Sequence, residues 1–350
     1  MRTPILVAIV ASGLAGSAVL PVASSPPASP PAQAPQAPAP PAAAILSPGA
    51  AAARYPITAA DYDAYFHKVK NWGRWGAADE LGTLNLITPA MRKRAASLVR
   101  VGQAVGLAHS PITTREADVG SPFEHTMNRG FTTDTYRVSY HGYAHSHLDA
   151  LCHILYKDQT YNGYARVEVN TEGGCTKLGI QSFRNGYVTR GILMDIPRLK
   201  GLPYLEPGTP IFVEDLEAWE KRAGIKVGPG DALLLRTGRW ARRADKGSWN
   251  VGGNAAGLHA SVGEWLKARG VALIGSDGAL DVVPSLVEGQ NLPVHTLAIT
   301  ALGLNILDNQ DLEALGALAA AQKRWEFMLT VAPVPVTGGT GFPVNALATF

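Results

Sequence analysis

With 350 residues, a net charge of +3 and 46% hydrophobic residues, the chain is long enough and apolar enough to bury a sizeable core. Its basic and acidic residues are interspersed without a basic patch or stripe, which argues against nucleic acid as a partner. Past the N-terminus no apolar run reaches membrane-spanning length.

Met1 and Arg2 give a short, weakly positive start, Ile5 to Leu20 is apolar and rich in Ala and Gly, and small residues stand at Ala18 and Ala23. This pattern predicts a signal peptide over residues 1–23 and an exported protein, periplasmic or secreted, with a retained anchor as the alternative. Residues 24–53 are dominated by Pro and Ala, a composition that favours extended linkers and cannot build a core. From Arg54 onward the pattern is continuous, with no repeat and no second linker, so residues 54–350 read as one domain.

Within that domain Thr88-Pro89 opens a helix: Thr caps, Pro occupies the first turn, and good helix formers run from Ala90 to Val99. Gln103–His109 and Asp134–Tyr140 read as strands. Gly191–Ile196, Asp231–Thr237, Val271–Ser276 and Leu304–Leu307 are short apolar runs that suit buried strands. Helical spacing marks Glu214–Ala223, Ser261–Arg269 and Asp311 to about Lys323, with Gly270 placed to cap the second. Interleaved strands and helices predict an α/β class. The two cysteines, Cys152 and Cys175, are free to pair in an oxidising compartment, although Cys152 reads more simply as a small buried hydrophobe.

Of nine histidines, four fall in the segment His141-Gly-Tyr143-Ala-His145-Ser-His147-Leu-Asp149-Ala-Leu-Cys-His153. In extended chain His145, His147 and Asp149 share a face, with His141 and Tyr143 behind them. In a helix His145, Asp149 and His153 align instead. Either way imidazoles crowd a carboxylate, an arrangement that a divalent cation compensates by taking neutral nitrogens and charged oxygens as ligands. A solvated His or a chance His-x-Asp explains any one of these residues, but not the whole run in an apolar context.

The run resembles the motif His-x-Gly-Thr-His-x-Asp-x-Pro-x-His of the cyclase family, which contains the bacterial kynurenine formamidases. His147, Asp149 and His153 match, and Ser146 takes the Thr position. Tyr143, His145 and Leu151 stand where the family has His, Gly and Pro. Asn71-Trp72-Gly-Arg-Trp75-Gly, Asp79-Glu80-Leu-Gly-Thr-Leu-Asn85, Gly230–Gly238, Gly257-Leu258-His259 and Gly275-Ser276-Asp277 resemble further family segments. Pro293-Val294-His295 with Leu307-Asp308-Asn309 resembles the family's distal ligand pair, with Asp in place of Glu. The similarity spans roughly residues 70–325.

The resemblance implies a swivelling β/β/α fold, commonly oligomeric, and hydrolysis of amide, cyclic amide or related acyl bonds in a small substrate. It implies zinc or manganese held by His147, Asp149, His295 and Asp308. It makes His153 the proton shuttle, with His145 and His259 next in line, and places Tyr143, Trp72 and Trp75 at the substrate. Tyr143 in place of a ligand leads to an expectation of one cation, unless His145 or His141 substitutes. For several of these residues a plainer reading stands beside the functional one: core packing for Trp72 and Trp75, an ion pair for Arg236, a satisfied loop residue for His259, and turn formation for Asp277 and Asp308-Asn309.

Two other classes compete. His147, Asp149 and His295 also form a two-His-one-carboxylate set that suits a non-haem iron oxygenase, but position 305, ten past the distal His, is Asn rather than basic. A non-catalytic periplasmic metal-binding protein suits export, but not the Trp-rich segment and the several family motifs. No Gly-x-Ser-x-Gly elbow supports a serine hydrolase.

Overall fold

The computed structural model describes residues 58–350; the segments expected as signal peptide (1–23) and linker (24–53) lie outside the described residues. Nine strands form one sheet: β1 (Ala104–Gly106), β2 (His147–Asp149), β3 (Tyr187–Asp195), β4 (Ala232–Arg236), β5 (Leu273–Ser276), β6 (Asn305–Asp308), β7 (Glu326–Val331), β8 (Gly341–Pro343) and β9 (Leu347–Thr349). Their order is β1-β9-β7-β3-β4-β5-β6-β2-β8. The central four, β3 to β6, are parallel neighbours, and antiparallel strands flank them on both sides.

The four apolar runs of the sequence supply this parallel centre. Parallel strands covered on both faces need near-continuous apolar side chains, and Ala232–Arg236, Leu273–Ser276 and Asn305–Asp308 are buried throughout. Helices Val213–Ala223, Gly263–Arg269 and Glu313–Gln322 lie close to the predicted spans, and Gly270 ends the second in the left-handed region at φ 65°. Thr88 caps Pro89–Ala96 by accepting from Met91 N at 3.3 Å. Among the described residues no helix is long and apolar enough to cross a membrane.

Two expectations change. Asp134–Arg137 is a strand, but it pairs with Glu124–Met127 in an exposed hairpin outside the main sheet; its alternation carries no apolar face to bury. Cys152 is buried as expected, but it is no free thiol, for it is joined to Cys175. The bond ties the turn after β2 to the short pairing of Asn170–Thr171 with Gly174–Cys175.

Arg236 closes a structural network at the end of β4, donating to Asp195 at 2.9 Å and to Glu313 at 2.6 Å. Asp277 accepts from the backbone N–H groups of Thr237, Gly238 and Arg239. These are the plainer readings of both residues. The ends of the parallel strands are thereby fixed beside β2, where ligands of open α/β sheets gather.

Candidate metal centre

Strand register builds the centre. His147 and Asp149 are two apart on β2 and point to one face. Asp308, at the end of β6, pairs directly with His147, and directly opposed residues share a face. On the other side of β2, Gly341 of β8 pairs with Asp149. A Cβ there would strike the Leu148 carbonyl oxygen and stand 3.3 Å from His141 Cε1, so glycine allows the close approach. His295 arrives on the crossover between β5 and β6, in the turn Pro293–His295 that leads into the π-helix Thr296–Leu302.

Two sets of ligand atoms result, each within 4.8 Å of one another: His141, His147 and Asp149, and Asp149, His295 and Asp308. Asp149 belongs to both. Its Oδ1 lies 3.1 Å from His141 Nδ1 and 3.3 Å from His147 Nε2, and its Oδ2 lies 4.0 Å from His295 Nε2. His295 Nε2 is 3.0 Å from Asp308 Oδ2.

The donor set fits divalent cations. Buried polar atoms almost always find a hydrogen-bond partner, yet His141 Nδ1, both oxygens of Asp149 and Asp308 Oδ1 have none. Each histidine is also held through its other nitrogen. His141 Nε2 meets Thr340 Oγ1 at 2.9 Å, His147 Nδ1 meets the His145 carbonyl at 2.8 Å, and His295 Nδ1 meets Asp281 Oδ2 at 2.6 Å. Such outer partners fix the tautomer and aim the free nitrogen at a metal.

The charges agree. For Asp149, burial works to raise the carboxyl pKa, but His147 and His141 overcome it and hold it well below the usual carboxylate value. For His295, burial works to lower the imidazole pKa, but Asp308 and Asp281 hold it well above its ordinary value. Negative charge is thus concentrated where a cation would sit. Burial instead pushes His153 down to about 4, against the raising effect of Asp149. His153 is therefore neutral at pH 7, with a ring stacked on His141 at 3.7 Å.

The other expected site residues divide. Tyr143 and His141 line one cavity of about 240 Å³ with Asp118, Ser121, Tyr140 and Asn250. His145 is in neither ligand set; its Nε2 is bonded to Ser121 O at 2.8 Å, securing the loop that forms another wall. His259 is also in neither set, and its Nδ1 accepts from Ser261 N at 3.2 Å in a local turn. Trp72 packs edge-on against Phe66 and donates to Thr300 O at 2.7 Å, and Trp75 lies beneath Arg74. Neither Trp is among the residues that line this cavity.

His141 becomes a ligand candidate because residues 141–145 form turns rather than strand. Alternation therefore fails before His147, and His141 swings over Asp149. The substitution by His141 that the sequence left open gives a second candidate ligand set beside that of His295 and Asp308, with Asp149 in both. Asp281 was missed altogether. Its signal is a lone carboxylate in the apolar run Ala279–Val283, where a buried charge requires a partner.

The Cyclase family model matches residues 58–280, more than half of the chain. The chain belongs to the cyclase family. A crystal structure described as a novel cyclase is 30% identical, covers 81% of this chain and 99% of its own, and has a TM-score of 0.71. Isatin hydrolase A from Ralstonia solanacearum is 20% identical over 74% of this cyclase and 95% of its own chain, with a TM-score of 0.48. An isatin hydrolase bound to the product analogue thioisatinate is 18% identical over 73% and 94%, with a TM-score of 0.47. No curated protein matches this cyclase.

Proposed function

We propose that this cyclase is a metal-dependent hydrolase of amide, cyclic amide or related acyl bonds. The observation that carries the reading is Asp149, a buried carboxylate shared by two ligand sets, with both oxygens free of hydrogen bonds. His141, His147 and Asp149 would hold one divalent cation, and Asp149, His295 and Asp308 a second, with zinc or manganese suited to mixed imidazole and carboxylate ligands. When bound, such cations polarise an acyl oxygen and bring the pKa of water toward roughly 7.

The protein's own groups supply the rest. His153, neutral and stacked on His141, would accept a proton from water and return it to the leaving nitrogen or oxygen. Tyr143 and Tyr140 line the cavity in which the substrate would lie, and the Tyr140 hydroxyl is spent on Gly341 O at 2.7 Å. The turn 141–145 stays in place because Asn309 Nδ2 donates to Gly142 O at 2.8 Å and Arg239 donates to the Tyr143 carbonyl. Export also belongs to the proposal, and the Cys152–Cys175 disulfide suits an oxidising compartment.

The test is Asp149→Asn, which keeps the shape of the side chain and removes its charge. Elemental analysis should find about two cations per wild-type chain and a loss of both in the variant, together with loss of amide or lactam hydrolysis. Wild-type protein that never takes up metal would end the hydrolase reading. A metal-loaded protein that turns over no acyl substrate would favour the metal-binding reading instead.

A further inference from the structure

The proposal concerns Tyr143, and it rests on the metal-hydrolase reading above. Where the family motif places its first metal-binding histidine, this chain has a phenol. The nitrogen beside Asp149 comes from His141, two residues earlier. The phenol is therefore released from ligand duty but remains at the centre.

Three observations fix it there. First, its backbone is clamped: the Tyr143 carbonyl accepts from the guanidinium of Arg239, which is buried and held by Asn309 Oδ1 at 2.6 Å and Asp118 Oδ2 at 3.3 Å. Second, its ring edge lies against Gly252, where an added Cβ would stand 2.7 Å from Tyr143 Cε2 and 3.2 Å from Cζ. Third, the side chain lines the same cavity as His141, and among the described residues no hydrogen bond engages its hydroxyl. A tyrosine hydroxyl that is partly enclosed ordinarily finds a partner. One that is aimed by a clamped backbone and a packed ring, yet left unpartnered toward a cavity, is arranged for a ligand atom.

We infer that the Tyr143 hydroxyl is a specificity-determining hydrogen-bond donor to an oxygen of the substrate at the metal centre. The ligand atom that suits it is a hydrogen-bond-accepting oxygen of the acyl substrate. A site built to pair with a polar group discriminates strongly against the analogue that lacks it.

Acetohydroxamate is a suitable probe, because it presents two adjacent oxygens to a cation. The experiment titrates it calorimetrically into manganese-loaded wild type, Tyr143→Phe and Gly252→Ala, with the metal content of each measured in parallel. Tyr143→Phe removes only the hydroxyl, and Gly252→Ala drives a methyl group into the ring edge without touching a ligand. Both should retain wild-type metal content and bind the probe about 10-fold more weakly, as expected for the loss of one hydrogen bond to a polarised acceptor. Wild-type probe affinity in Tyr143→Phe would overturn the inference while leaving the hydrolase reading intact. Loss of metal in Tyr143→Phe would also overturn it, by making Tyr143 a ligand. Wild type that holds no manganese would remove both.

Discussion

Asp281→Asn offers the sharpest perturbation of the metal centre, because Asp281 touches no ligand atom except through His295. Its Oδ2 accepts from His295 Nδ1 at 2.6 Å and from His295 N at 3.0 Å, and its Oδ1 accepts from Val294 N at 2.6 Å. A carboxylate only accepts, so when a cation takes Nε2 beside Asp308, the proton of the neutral imidazole stands on Nδ1, where Asp281 accepts it. An asparagine can still accept from Val294 N, but it turns an amide NH₂ toward Nδ1. The favoured tautomer then places the proton on Nε2, which can no longer bind a cation. Loss of such an outer partner costs about 10–100-fold in metal affinity, or about 1.4–2.8 kcal/mol. The loss should be confined to the cation of His295 and Asp308, since His141 and His147 are held by Thr340 and the His145 carbonyl instead. Zinc titration against a competing chelator should therefore show one cation bound as in the wild type and one bound 10–100-fold more weakly. Wild-type affinity at both positions would refute the tautomer argument. Equal weakening of both would show that Asp281 acts on the fold rather than on His295.

Three further outcomes follow from the same geometry. His141→Ala should weaken metal binding, whereas His145→Ala should leave metal content unchanged and lower Tm through loss of the bond to Ser121, worth about 1 kcal/mol; the reverse pattern would exchange their roles. His153→Ala should lower turnover by about 10²–10⁴-fold with metal retained, and a metal-depleted variant would make His153 a ligand. His259 is buried, and burial depresses its pKa to about 4 from an unfolded value of roughly 6.5. The unfolded chain therefore binds the extra proton between these values, and stability is fully present above pH 6.5 and lost as pH falls toward 4. The full span is worth about 3 kcal/mol, so His259→Asn should flatten the fall in Tm over that window, and an unchanged acid limb would count against this account.

The parallel centre of the fold was legible because its chemistry is local. Short apolar runs bounded by Gly and Pro can be satisfied only by burial on both faces, and Asp231–Thr237 and Val271–Ser276 each enclose the strand that forms. Of the flanking strands, β1 lies within the predicted Gln103–His109, but the two C-terminal ones were not legible. Gly341–Pro343 and Leu347–Thr349 are three residues each and carry no periodicity, since their places are set by backbone pairing with β2, β1 and β7. Asp134–Arg137 shows the opposite failure: alternation without an apolar face gives a hairpin, but no place in the main sheet.

The centre divides along the same line. His147 and Asp149 were readable because alternation holds within a strand. Which of His141 and His145 could stand in as a ligand was not readable, because the chain before His147 turns, and that turn is held by Asn309, 164 positions from His145, and Arg239, 96 positions from Tyr143. Long-range bonds of this kind leave no local signal. At the distal pair, where the resemblance leads one to expect Glu, register sets the place of the shorter Asp308. Asp308 does not sit on a loop that must shift; it ends β6 and is paired with His147. That pairing brings its shorter carboxylate to 3.0 Å from His295 Nε2, while His295 is itself drawn in by Asp281. Lengthening Asp308 to Glu, without moving β6, would push the carboxylate past His295 and weaken the cation they share.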